Sequence, residues 1–224
     1  MNPANNTILI SSGLAAFSPK MYIYKNIQRG SGIFLGSLTF PWEQRKVKDI
    51  FKVTRGYVLP ATITSDNQTD DMPYPVYSSQ TKDNGLMGFY KDYLYEDAIT
   101  WTTDGANAGT VNYRAGKFYC TNVCGVLLTN EMIANQMISE ALNNVAKGYV
   151  SYVGNPKLMN NVMAEIEILL PKQVEEQQKI SELFTQLDHL ITLHQREVLR
   201  KNAMKIDKKK KGMNTDDIQT GIRI

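Results

Sequence analysis

The chain has 224 residues, of which 42% are hydrophobic and 21% are charged, and its formal net charge is +3 at pH 7. These values are close to globular averages, so they exclude wholesale disorder, a collagen-like protein and a disulfide-stapled miniprotein. No stretch approaches the run of about 18 apolar residues that a membrane-spanning helix needs. Because Cys120 and Cys124 have no second pair to complete a metal cage, we expect free thiols in a cytoplasmic protein.

Residues 1–41 carry three basic side chains and no acidic one, and Asn, Ser and Gly recur along them. No basic residue precedes the short apolar run near the start, and Ser11, Ser12 and Gly13 interrupt it, so we expect no signal peptide. One aromatic and β-branched stretch, at 21–27, could form a strand. The pattern predicts a poorly structured N-terminal segment over residues 1–41.

Residues 42–170 are predicted to form a compact α/β (α+β) domain with short strands. Strand patterns cover 98–103, 117–129 and 162–171, and residues 48–54 are predicted to form a short strand or an amphipathic turn. Turns are indicated at Asn84-Gly85 and Asp104-Gly105. Asn130 is the predicted N-cap of a helix that Gly148 would end. The apolar face of that helix would be Ile133, Met137, Ile138, Ala141, Leu142 and Val145. Because this segment has 11 basic and 14 acidic side chains, any contact with DNA would need a local basic face.

Residues 171–211 are predicted to form one long helix, followed by a polar tail at 212–224. Pro171 suits a first helical turn, and no Pro or Gly interrupts residues 172–211. Apolar residues recur at spacings of three and four, which is typical of a coiled-coil seam. The predicted helix-pairing residues are Ile180, Phe184, Leu187, Ile191, His194 and Val198. A seam this long needs a second helix, either from another copy of the chain or from another protein.

The motifs that could support catalysis are weak. His189 and His194 are five residues apart, whereas helical metal pairs prefer four, and His194 lies in the seam as a packing residue. The segment TTDGANAGT at 102–110 has glycines but lacks the lysine and the spacing of a phosphate-binding loop, so a surface turn explains it better. Asn155-Pro156 lacks the following aromatic residue that stacks a flipped base in adenine methyltransferases. We therefore predict no catalytic residue, no metal ligand and no cofactor in this chain.

Residues that can hydrogen-bond base edges and phosphates occur at several predicted loops and element ends. A solvated polar loop would explain each of them equally well. The candidates for DNA binding are Arg55, Tyr57, Ser78, Ser79, Gln80, Thr81, Lys82, Thr102, Thr103, Asn107, Lys147, Tyr149 and Lys157.

Four segments together resemble the specificity subunits of type I restriction-modification systems. Three of them, at 42–56, 74–90 and 99–128, resemble the target recognition domain of that family. The fourth, GNPKLMNNVMAEIEILLPKQVEEQQKISELFTQLDHLITLHQREVLRK at 154–201, resembles the end of that domain and its following spacer helix. The resemblance covers about residues 40–205.

The resemblance implies a subunit that reads double-stranded DNA and catalyses nothing itself. Such subunits hold two adenine-methyltransferase modification subunits, which use S-adenosylmethionine, and a motor-nuclease subunit joins to restrict unmodified DNA. Paired spacer helices fix the distance between the two halves of a split site. The resemblance places DNA contact in loops of the globular domain, which favours Ser78–Lys82, Thr102–Asn107 and Lys147–Tyr149.

The sequence departs from the family by having one recognition domain and one spacer helix where two of each are usual. The expectation is either a half-subunit that pairs with a second copy or a second specificity half, or a piece or cassette of a longer gene. Two alternatives remain open: a coiled-coil adaptor that does not read DNA, and a small-molecule α/β enzyme using the glycine-containing loop.

Overall fold

The computed structural model describes residues 42–79 and 82–219, and the predicted strand at 21–27 lies outside them. The chain divides into a first unit that ends at Ser181 and a second unit that begins at Glu182. The described strands are β1 Trp42–Lys46, β2 Phe51–Arg55, β3 Tyr74–Tyr77, β4 Leu86–Tyr90, β5 Tyr95–Thr102, β6 Val111–Cys120, β7 Cys124–Thr129 and β8 Glu167–Pro171. The described helices are α1 Val47–Ile50, α2 Gln136–Ala146, α3 Asn160–Glu165 and α4 Val174–Gln219.

Six strands form one sheet in the order β2-β7-β5-β6-β3-β4. Its neighbours are antiparallel except β3 and β6, which run parallel. Strands β1 and β8 form a separate antiparallel pair, in which Trp42 lies opposite Pro171. This mixture of sheet and helix, followed by a long helix, is the α+β architecture that the sequence predicts.

The centre of the sheet is β5, whose last five residues are all buried. β-branched and aromatic residues suit such a position because they pack well on a pleated surface. The indole of Trp101 is buried, and its Nε1 donates a hydrogen bond to the carbonyl of Leu158 at 3.0 Å. Gly125 on β7 lies against the ring, where any side chain would collide with the indole. The sequence therefore joins the sheet to the loop that precedes α3 through one buried tryptophan.

The sheet curls until β6 meets the end of β2, although two strands separate them in the order. The amide of Tyr57 donates to the carbonyl of Cys120 at 3.2 Å, and the Tyr95 hydroxyl donates to the carbonyl of Arg55 at 2.6 Å. The space inside the curl is filled by a cluster of buried side chains, namely Ala98, Phe118, Cys120, Cys124 and Val126. Because of the curl, residues that follow β2, β3 and β6 come together.

Several element boundaries differ from the sequence prediction. The segment predicted as a strand or turn at 48–54 begins in helix α1 and becomes strand only from Phe51. Helix α2 begins after Asn135, not Asn130, and the Asn135 side chain accepts a hydrogen bond from the Ile138 amide at 3.0 Å. The predicted strand at 162–171 is wrong in its first half, where Asn160–Glu165 form helix α3, and right in its second half, which is β8. The helix is stabilised by the buried Met163, and the Asn160 side chain donates to the carbonyl of Thr54 at 3.3 Å.

The predicted long helix is present as α4. It begins at Val174, because Pro171 is the last residue of β8, and it continues past Lys211 to Gln219. Its start is fixed to the first unit: Gln177 donates to the carbonyl of Pro171 at 2.8 Å, and Ser181 Oγ accepts from the Gln136 amide at 3.2 Å. Forty-six residues of helix extend roughly 70 Å at about 1.5 Å per residue. Among the described residues, no helix is long and apolar enough to cross a membrane.

Candidate nucleic-acid interface

Two loops that are distant in sequence are fastened side by side at one end of the sheet. The loop that follows β5 donates from the amide of Gly105 to the carbonyl of Pro156 at 2.9 Å. The amide of Leu158 donates back to the carbonyl of Thr103, also at 2.9 Å. Lys157 lies in the second of these loops, and its ammonium is 3.6 Å from the carboxylate of Asp104. Backbone hydrogen bonds therefore hold the glycine-containing loop against residues 156–158.

The segment after β3 borders the same place. The amide of Ser78 donates to the carbonyl of Gly85 at 2.8 Å, which closes the turn predicted at Asn84-Gly85, where both residues have positive φ. The Asn107 side chain reaches across and donates to the carbonyl of Ser79 at 3.4 Å. Ser78 and Asn107 therefore face a common space, although they are 29 positions apart in the sequence.

The turn after α2 completes this surface. Gly109 has a φ of +81°, and a Cβ added there would press on Val150 and the backbone of Lys147. This close approach places Lys147 and Tyr149, which are both exposed, next to the loop at 103–109. The structure thus brings together candidates from three loops.

Arg55 and Tyr57 lie at the neighbouring edge, where β2 ends. Tyr57 is 65% exposed, and Arg55 is also exposed. The Thr121 amide donates to the carbonyl of Tyr77, and the Thr121 hydroxyl donates to Ser78 Oγ at 3.0 Å. The amide of Tyr57 donates to the carbonyl of Cys120, which directly precedes Thr121. Arg55 and Tyr57 therefore lie near the segment that follows β3.

The remaining candidates differ in accessibility. Thr102 and Thr103 are buried, and the Thr103 hydroxyl is 2.6 Å from Asp104 Oδ2 and 3.0 Å from the carbonyl of Val123. Thr103 therefore holds the loop in place and offers no free hydroxyl to a ligand. Gln80 and Thr81 lie outside the described residues, and Lys82 is described only by its backbone, which begins the 3-10 turn Lys82–Gly85.

A polar cleft of about 110 Å³ opens between these loops. It is lined by three of the candidates, Ser78, Thr102 and Asn107, and by residues that sequence patterns did not single out, including Thr110, Asn112 and Arg114. Burial lowers the pKa of the Arg114 guanidinium from its ordinary value. Nothing in the local sequence distinguishes this arginine, because its burial depends on how β6 packs against β3 and β5.

The sequence patterns did not single out two exposed apolar residues, Tyr152 and Val153. Tyr152 is 71% exposed and Val153 is 93% exposed. They lie at the tip of a loop closed by reciprocal backbone hydrogen bonds between Ser151 and Lys157, both at 2.9 Å. The sequence signal that could have identified them is an aromatic residue in a segment that contains Gly, Asn and Pro. Because the loop is fixed at its base, it presents these side chains to solvent next to Lys157.

The predicted helix-pairing residues fall into two groups along α4. Ile180 and Phe184 are buried in the single chain, so they are covered before any partner binds. Leu187 and Ile191 are half-buried, and His194 and Val198 are exposed. Other apolar side chains of the same stretch are exposed as well, including Leu190, Leu193 and Leu199. From Leu187 onward the helix therefore presents apolar surface that a second helix could cover.

Within the described part of the chain, no group of three or more His, Cys, Asp or Glu is placed to hold a metal ion. His189 and His194 are exposed on α4. Cys120 and Cys124 are free and buried, as predicted. The pKa of the Cys120 thiol is raised, mainly by its hydrogen bond with Cys124 and also by its burial. A buried thiol with a raised pKa is a poor nucleophile, which fits a packing role.

The chain is similar in sequence to DNA specificity subunits of type I restriction-modification systems. The family model described as "Type I restriction modification DNA specificity domain" matches residues 40–200. A putative type I specificity subunit N-terminus from Mycoplasma pneumoniae is 42% identical over 135 residues, which cover 58% of this chain and 71% of that protein. The MpnII type I restriction enzyme specificity subunit of the same organism is 37% identical over 153 residues, 67% of this chain and 45% of that protein.

Solved structures show the same fold. The S subunit of a type I restriction-modification system from M. genitalium aligns with a TM-score of 0.58 at 15% identity, over 69% of this chain and 41% of that one. The HsdS subunit from Thermoanaerobacter tengcongensis aligns with a TM-score of 0.52 at 12% identity, over 78% of this chain and 44% of that one. The chain thus spans less than half the length of these structures.

Proposed function

Because this chain belongs to the family of type I restriction-modification DNA specificity domains, we propose that its first unit reads one half of a split DNA site. The observation that carries the proposal is the gathering of exposed polar, basic and aromatic residues from separate loops at one end of the sheet. Backbone hydrogen bonds join the residues on either side of Lys157 to the loop after β5, and the exposed Lys147 and Tyr149 lie beside that loop, where Gly109 closely approaches Val150. Cations position a protein on DNA phosphates, while polar and aromatic groups contact the bases.

Helix α4 supports the second half of the proposal, which is scaffolding. Its apolar residues from Leu187 onward remain accessible in the single chain, and apolar stripes of this length are stable in water when another helix covers them. The partner helix would come from a second copy or from a second specificity half. Two adenine-methyltransferase modification subunits would then bind the paired chains, and those subunits would bind S-adenosylmethionine. The chain itself would transfer no methyl group, and a motor-nuclease subunit would join the complex for restriction.

The DNA-reading part can be tested by the salt dependence of binding to a mixed-sequence duplex. Lys147→Ala should remove about one phosphate contact and make the slope of log K against log salt concentration less steep by about 0.9. Lys172→Ala is the matched control, because Lys172 is also an exposed lysine but lies beside Glu43 at the β1–β8 pair, with 3.9 Å between the charged atoms. The protein should be measured in complex with its modification subunits.

If Lys147→Ala and Lys172→Ala leave the same slope as the unaltered protein, the loops do not form the DNA-binding surface. The coiled-coil adaptor alternative predicts that outcome together with an intact complex.

A further inference from the structure

Arg114 is a buried cation without a carboxylate partner among the described residues. It lies on β6 and is 8% exposed. Its Nε donates to Thr100 Oγ1 at 3.1 Å, its Nη2 donates to the carbonyl of Asn84 at 2.6 Å, and its Cζ lies 3.7 Å from the centre of the Tyr77 ring. All three partners are neutral, so the positive charge is not compensated by any of them.

The guanidinium also has N–H groups left over. Arginine carries five N–H donors, and two of them are used in these bonds. Arg114 lines the polar cleft between the loops, and none of the described residues that line the cleft is acidic. A ligand in the cleft would therefore lie beside the guanidinium of Arg114.

Burying a charge destabilises a protein unless the charge is paired with an opposite one. The neutral contacts of Arg114 offset part of that cost. An anion that enters the cleft would offset more, since hydrogen bonds between ionised groups are about twice as strong as neutral ones. In the free chain, the cleft therefore contains a buried positive charge that its neutral contacts do not compensate.

We infer that this cleft binds a phosphate group of the DNA backbone, with Arg114 as its charged ligand. The inference rests on the proposed DNA-reading function and adds a residue and a ligand to it. The planar guanidinium matches phosphate oxygens in a two-pronged arrangement. Ser78, Asn107 and Asn112 supply neutral donors around the same space. A volume of about 110 Å³ suits a single small group, and Ser78, Asn84 and Asn107 at its rim would meet the adjoining backbone.

The first arm of the test uses inorganic phosphate as the probe. In the full chain, the Arg114 Nε–H signal is identified in a nitrogen-15 NMR spectrum by its loss in Arg114→Gln. Phosphate should shift this signal in a saturable way. Asn112→Asp should weaken phosphate binding at least tenfold, because it places a carboxylate in the cleft while the contacts of Arg114 remain. Lys117→Gln removes an equal charge from the exposed face of the same strand, where Lys117 Nζ lies 4.5 Å from the Tyr93 ring, and should change nothing.

The second arm uses a mixed-sequence DNA duplex and the complex with modification subunits. Asn112→Asp and Arg114→Gln should each make the slope of log K against log salt less steep by about 0.9, uniformly across sequences. Lys117→Gln should match the unaltered protein. Thermal unfolding of each variant shows whether it is folded, and Asn112→Asp retains the arginine if Arg114→Gln does not fold.

The outcomes separate this inference from the function beneath it. If phosphate does not shift the Arg114 signal, the anion site is wrong, whatever the chain does with DNA. A shift with phosphate but no DNA binding by the complex would overturn both the DNA source of the phosphate and the proposed function. An unchanged salt slope with altered sequence preference would also contradict the inference, because it would make Arg114 a reader of base edges.

Discussion

Replacing Leu187 by glutamate should break the pairing of α4 with its partner helix. Leu187 is half-buried in the single chain, and Leu190 and Leu193 after it are exposed. Full burial of a leucine side chain contributes about 1.5–3 kcal/mol, so covering the remaining half of Leu187 contributes about 1 kcal/mol, which would be lost. Desolvating an unpaired carboxylate in the helix interface would add a penalty of a few kcal/mol. Together these terms amount to at least about 3 kcal/mol, and since about 1.4 kcal/mol is tenfold in affinity, pairing should weaken by about 100-fold or more.

The assay is light scattering of the purified chain and of its complex with modification subunits. Leu187→Glu should shift the mass towards that of a single specificity chain at concentrations where the unaltered protein is paired. Gln186→Glu is the control, because Gln186 is an exposed neighbour outside the seam and gains the same charge. If Leu187→Glu and the unaltered chain have the same mass and the same concentration dependence, the seam assignment is wrong.

Three further predictions concern the first unit. Asn135→Ala should lower the free energy of unfolding by about 1 kcal/mol in urea, since the cap of α2 is lost, whereas Asn135→Asp should retain most of it. Gly109→Ala should destabilise the fold by about 1–3 kcal/mol, because Gly109 has a positive φ and close neighbours. Gly148→Ala should not destabilise it, because an added Cβ there meets open space, so equal melting temperatures of the two variants would contradict the prediction. Hydrogen bonds from Lys48 and Lys46 lower the pKa of Glu165 below its ordinary 4.5, so its stabilising contribution is present above that value and is lost as the pH falls through the folded-state pKa. Glu165→Gln should therefore reduce the difference in urea midpoint between neutral and acidic pH, and an unchanged difference would show that the pair does not stabilise the fold.

The sequence predicted elements where one physical signal dominated. The long helix follows from apolar spacings of three and four without Pro or Gly, and the buried run of β5 follows from its β-branched and aromatic residues. Two of the boundary errors arose where two signals competed. Both Asn130 and Asn135 can cap a helix, and the choice depends on tertiary bonds. The amide of Met132 donates to the carbonyl of Ile50, and that of Ala134 donates to Thr129 Oγ1, so neither residue is free to begin a helix.

The segment at 162–171 shows a second kind of ambiguity. Its apolar residues alternate, which favours a strand, but Met163 and Ile166 are also three apart, as on one face of a helix. Contacts with residues far away in sequence decide between the two: the Asn160 side chain bonds the carbonyl of Thr54, and the Ile166 carbonyl accepts from the amide of Val47. No local pattern contains that information.

The candidate surface could be predicted residue by residue only in part. Exposed loop residues such as Lys147 and Lys157 are visible in the sequence because of their charge and their turn context. The burial of Thr103 and Arg114 is not visible there, because it results from the curl of the sheet and from hydrogen bonds with Asn84, Val123 and Leu158. Sequence reasoning therefore finds accessible cations more readily than a buried one that faces a cleft.

The most direct test of the central claim is to co-express the chain with a matching modification subunit and to map adenine methylation by long-read sequencing. The account predicts a split motif that is methylated only when the chain is present. A palindromic motif would mean that two copies pair through α4, since the symmetry of the protein is imposed on the DNA, and an asymmetric motif would mean pairing with a different specificity half. A stable complex with modification subunits but no methylation would contradict the claim that this chain reads DNA.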